Sequence, residues 1–140
     1  MENLLISACL MGFECKYSGG SNKLPDEALA RLKAEYRLIP VCPETAGGLP
    51  VPRDPSERLG DKVVSSKGKD VTAEFDKGAN VALTLAKRYG CKKALLKRNS
   101  PSCGGEFIYD GSFSGRLIPG QGVTAELLRA HGLEIEGEQD

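Results

Sequence analysis

Apolar residues fall in short runs separated by longer amphipathic stretches, and this alternation repeats from one end of the chain to the other. Residues 3–8 (NLLISA) form an apolar run of strand length. Residues 25–35 carry Ala28, Leu29 and Leu32 on one helical face, with Pro25 suited to a first helical position. A second strand is predicted over 37–42 (RLIPVC). Pro40 has no N–H to give to a ladder, which puts that strand at a sheet edge.

The stretch 43–60 holds four prolines and three glycines and reads as a long loop without regular elements. Residues 62–71 suggest a hairpin turning near Lys67 and Gly68. Thr72 offers an N-cap for a helix reaching about Tyr89, with Phe75, Ala79, Ala82 and Ala86 on one face and Gly90 closing it. A third strand follows at 93–97, then a hairpin over 106–118 turning through Tyr109-Asp110-Gly111. Thr124 is the expected cap of a last helix ending at Gly132, and 133–136 is a final strand.

Strands alternating with helices predict an α/β fold. The expected form is a small three-layer domain over 1–140, with a mostly parallel sheet of order 2-1-3-4 and hairpins decorating its open end.

Composition narrows the function classes. With 19 basic and 19 acidic side chains the net charge is zero, and no apolar run approaches the ~18 residues of a membrane span. Neutrality, with four Tyr, four Phe and no Trp, offers no general hold on nucleic acid. The opening residues lack the basic region of a signal peptide, so a cytoplasmic chain with reduced thiols is expected. Its five cysteines then raise metal or thiol chemistry rather than disulfides.

Three of them share a topological position. Cys9 follows the first strand, Cys42 ends the second and Cys103 lies just past the third. In a parallel sheet these are the carboxyl ends, where ligands bind at the reversal of winding. Their neighbourhoods (SACLMG, VCPETAGG, SPSCGG) are rich in small residues, which let backbone amides approach a bulky ligand. There is no C-x-x-C pair, so neither a zinc ribbon nor a thioredoxin motif applies. Free cysteine also packs readily as a small hydrophobe, so spacing leaves both readings open. Cys15 lies beyond the first loop, and Cys91, before a strand, reads as a small core residue.

Several motifs belong to one pattern: SACLMG at 7–12, PVCPETAGGLPVPR at 40–53, DVT at 70–72, LKRNSPSCG at 96–104, IYDGSFSG at 108–115 and GVTAELL at 122–128. From about residue 4 to residue 136 the chain resembles the bacterial family catalogued as domain of unknown function 523 (DUF523), some of whose members are thiouracil desulfidases. The resemblance implies a 4Fe-4S cluster held by three cysteines with one iron not ligated by protein. Matched motif by motif, those ligands fall on Cys9, Cys42 and Cys103, the acid/base carboxylate on Glu44 and a participating serine on Ser100. It further implies loss of sulfur from a small thiolated base such as 2-thiouracil, giving uracil and sulfide without net redox change. Such an iron is a soft Lewis acid suited to a thiocarbonyl sulfur, and Glu44 would take a proton from water.

Plainer roles stand beside these. Glu44 could pair with Arg53 or cap a turn, Ser102 equals Ser100 on spacing, and Lys97, Arg98 and Arg53 could neutralise a bound anion or form a solvated rim. His131, near a helix C-terminus, suits the dipole there rather than catalysis. Two other functions remain: a cluster-dependent enzyme acting on another sulfur compound, or a non-enzymatic metal- or cluster-binding module. A carrier needs no acid/base group, which favours chemistry.

Overall fold

In a computed structural model of the chain, residues 1–138 are described. Strand β1 (Glu2–Ser7) runs into a 3-10 turn at Ala8–Met11 and is followed by helix α1 (Asp26–Glu35) and strand β2 (Tyr36–Val41). A short helix α2 (Pro43–Ala46) precedes the strands β3 (Ser56–Leu59) and β4 (Lys62–Ser65). Helix α3 (Thr72–Arg88) leads to β5 (Lys93–Leu96). The strands β6 (Phe107–Tyr109) and β7 (Leu117–Pro119), helix α4 (Val123–Ala130) and strand β8 (Glu134–Gly137) complete the order.

The central sheet is β2-β1-β5-β8 with every pairing parallel, the order that right-handed crossovers from these elements favour. Edge strand β2 carries the exposed Pro40 opposite Ile6. Alternation along β1 splits the core into two layers. Leu5 joins Ala94 and Leu96 against Ala82, Leu83 and Ala86 of α3 and Ala125 and Leu128 of α4. Ile6, one residue on, faces the other way, with Leu10, Leu24 and Leu29 of α1. The three-layer expectation holds, and Cys91 is a core residue.

Three local expectations are corrected and a fourth is extended. The proline-rich segment 43–60 contains α2 and β3, because Pro43 occupies the first helical turn, where its missing N–H costs nothing, and β3 begins only after Pro55. The hairpin expected over 62–71 is present, with its turn at Ser65–Gly68 and its arms joined by the antiparallel bridge between Val64 and Asp70 and the bond from the Val71 N–H to the Val63 carbonyl, and β4 pairs in addition with β3 across Gly60 and Asp61. Thr72 is not the cap of α3: Val71 holds that position, Asp70 Oδ1 accepts the Thr72 N–H at 2.9 Å, and the Thr72 hydroxyl accepts the Val63 N–H. Likewise Gly122, not Thr124, precedes α4, and the buried Thr124 hydroxyl lies 2.7 Å from Ser102 Oγ.

One contact fixes the element that follows Cys42. Helices α2 and α3 meet backbone to backbone: a Cβ on Gly78 would lie 1.8 Å from the Pro43 carbonyl oxygen, and one on Gly47 1.9 Å from that of Glu74. Only glycine permits this approach.

Candidate active site

The carboxyl ends of β1, β2 and β5 open onto a cleft of about 530 Å³. Cys9 reaches it from the 3-10 turn after β1, which Gly12 ends in a left-handed conformation that its missing Cβ allows. Cys42 enters as the residue between β2 and α2, and Glu44 projects from that helix. Cys103 comes from the turn after β5. That turn is wound around Ser100, whose Oγ accepts the N–H groups of Ser102 (3.1 Å) and Cys103 (3.0 Å) while its carbonyl accepts that of Gly104.

The two candidate serines separate cleanly. Ser100 lines the cleft and, among the described residues, no group takes its hydroxyl proton. Ser102 is 1% exposed, bonded to Thr124 and outside the lining. Glu44 is held at 3.1 Å by Arg53 Nε, so the ion pair weighed against catalysis is present, yet the carboxylate still borders the cleft. Arg53 also donates to the carbonyls of Pro50 and Cys15, which makes it a buried clamp rather than rim. Lys97 pairs with Glu138 at 3.0 Å beside the cleft, and Arg98 donates its N–H to the same carboxylate.

Burial dominates the electrostatics. It pushes the Cys103 thiol up to about 12, with the neighbouring Cys9, Glu44 and Cys42 adding to the rise and the Ser7 hydroxyl opposing it. The Cys9 thiol is raised by burial too, with the Asn22 side chain opposing and Cys42 reinforcing. Burial likewise lifts the Glu44 carboxyl, against the pull of Arg53. Desolvated thiols close enough to oppose one another's ionisation stay protonated until a metal centre takes their protons' place.

Sequence reasoning passed over three residues here. Cys15, set aside as lying beyond the first loop, borders the cleft, with its carbonyl 3.8 Å from Cys42 Sγ, and burial and Cys42 push its thiol up to about 12. Asn22 reaches Cys9, and Ser7 reaches Cys103. The signal for Cys15 was the turn-forming Gly19 and Gly20, which fold the 12–23 segment back through the Lys16–Gly20 bond.

The donor set suits a cluster. Among the described residues no three His, Cys, Asp or Glu side chains gather tightly enough for a single metal ion. Thiols distributed around a cleft instead match a multi-iron cluster, whose cysteines bind at separate irons. The family model for 2-thiouracil desulfurase matches residues 4–140. The chain belongs to the 2-thiouracil desulfurase family. A solved structure of the 4Fe-4S-dependent thiouracil desulfidase TudS superposes with a TM-score of 0.94 at 48% identity, covering 99% of this chain and 91% of that one. An uncharacterized protein of Bacillus subtilis (strain 168), YbbK, is 40% identical over 147 residues, spanning 98% of this chain and 96% of its own length. Both the family assignment and the TudS fold embrace the whole strand-end cleft. No helix among the described residues is long and apolar enough to cross a membrane.

Proposed function

We propose that this chain is an iron–sulfur-dependent desulfidase that converts 2-thiouracil-like bases and water to uracil-like bases and hydrogen sulfide, with no net redox change. Family membership and the likeness to TudS support the reaction class. The observation that carries the residue assignment is the convergence of three strand-end cysteines with Glu44 and Ser100 on one cleft. Cys9, Cys42 and Cys103 would hold a 4Fe-4S cluster. When bound there, the cluster supplies a soft Lewis acid, at an iron without a protein ligand, for the thiocarbonyl sulfur.

The chain's own groups do the proton work. Glu44 accepts a proton from the attacking water, and Arg53, 3.1 Å away, fixes the orientation of its carboxylate. Ser100 accepts two backbone N–H bonds, which polarise its hydroxyl and leave its proton for the substrate or the departing sulfur. A non-enzymatic carrier would have no use for a buried carboxylate clamped in this way. The electroneutral chain suits a small free base better than a nucleic acid, and its unpaired thiols suit the cytoplasm.

The test is sulfide release from thiolated bases by protein purified and reconstituted without oxygen. Glu44→Gln is expected to retain the cluster while losing at least about 100-fold in rate, the scale of a general base. Full activity in that variant removes Glu44 from the mechanism.

A further inference from the structure

Resting on the desulfidase reading above, we propose that Ser7 is a positioning residue that tunes the cluster's iron through a hydrogen bond to the Cys103 sulfur.

Ser7 is the last residue of β1 and is 2% exposed. Its hydroxyl joins two strand ends. Oγ accepts the Lys97 N–H at 2.9 Å, just past β5, and lies 3.4 Å from Cys103 Sγ. Among the described residues these are its two hydrogen-bond partners. The Lys97 amide can only donate, so it holds the oxygen in place and leaves the hydroxyl proton for the sulfur. A free Cys103 thiol could donate or accept, but a thiolate on iron has only lone pairs to offer, and Ser7 is then the donor. The amide bond into Oγ polarises the O–H and strengthens the second bond.

Cys103 is where such a bond has most effect. It is 5% exposed, so water does little to stabilise charge on its sulfur. A hydrogen bond to a ligand sulfur draws electron density from it, which raises the reduction potential of a cluster and leaves iron a better acceptor. A packing role would need only the volume of the side chain and an acceptor for the Lys97 N–H. The two roles therefore part at the cluster's potential.

The experiment compares wild type, Ser7→Ala and Ser7→Thr after anaerobic reconstitution, by redox titration and by the Fe–S(Cys) stretches in the resonance Raman spectrum. In Ser7→Ala the midpoint is expected to move to more negative potential and the stretches to change, with sulfide release falling by about 10- to 100-fold, as for other outer-shell partners. Ser7→Thr, which keeps the hydroxyl, is expected to restore all three readings. The potential is read on loaded clusters only, so partial loading of the alanine variant does not blur it. A Ser7→Ala cluster with the wild-type potential and stretches overturns the inference, as does a threonine variant that follows the alanine one. Wild type that takes up no cluster overturns the desulfidase reading, and this inference with it.

Discussion

On the strand-end side of the cleft, Ser7 ends a paired strand and Cys9, Cys42 and Cys103 follow one within seven positions, backed by the core of all three layers. On the loop side, the lining comes from Tyr17, Pro55, Glu57 and Phe113, where Tyr17 and Phe113 are 44% and 39% exposed. Backbone ladders and close packing hold the first side. The second side rests on the short β3–β4 ladder and the bond from the Arg53 N–H to the Tyr17 carbonyl. The 111–113 turn is tied to it by the Glu57 side chain, which accepts the N–H groups of Gly111 and Phe113 at 3.0 and 3.1 Å, while Phe113 keeps a φ of +58° that a bulky residue rarely adopts. Lys16 lies over the Tyr17 ring at 5.8 Å. Under the proposed desulfidase reading, the strand-end side would fix the cofactor and the acid/base groups, and the loop side would grade which base is held.

The strongest way to break this contrast is at Gly78, which lets α2 dock with Glu44 on it. Its Cβ would meet the Pro43 carbonyl at 1.8 Å, so Gly78→Ala is expected to cost about 3 kcal/mol or more of stability, read as a lower urea midpoint. An unchanged midpoint means that α2 is not fixed in this way. The loop side should respond differently. Phe113→Ala is expected to raise KM by roughly tenfold with kcat little changed, the scale of losing one base–aromatic stacking contact, and Phe113→Tyr to restore it. A fall in kcat at constant KM would move Phe113 into the rigid group. The smallest effect belongs to the exposed pair between Lys67, on the turn after β4, and Asp54, just before β3, 3.7 Å apart and outside the cleft lining. Lys67→Ala should change stability by less than about 1 kcal/mol and leave sulfide release unaltered.

The same contrast explains what could be read from the chain alone. The strand-end placement of Cys9, Cys42 and Cys103 followed from parallel topology, because short apolar runs alternating with helical stretches mark where each strand stops. Caps were misread where a side chain had another partner in space: Thr124 is taken by Ser102, and Thr72 by Val63. The 43–60 segment hid α2 because a proline opening a helix looks, in sequence, like a breaker. Gly78 sits inside a helical pattern and carries no local sign that another backbone crosses there. Cys15 was set aside as lying beyond the first loop, and its place beside Cys42 is held by Arg53, 38 residues on, which donates to its carbonyl. Contacts across such distances leave no mark on local periodicity.

The central claim is that three of the four cleft cysteines hold the cluster and the fourth does not. Iron per chain, measured after anaerobic reconstitution of four single Cys→Ser variants, tests it directly. Cys9→Ser, Cys42→Ser and Cys103→Ser are each expected to lose the cluster, while Cys15→Ser keeps a full complement of four irons and its visible absorption. Full iron in any of the first three, or its loss in Cys15→Ser, would contradict the account.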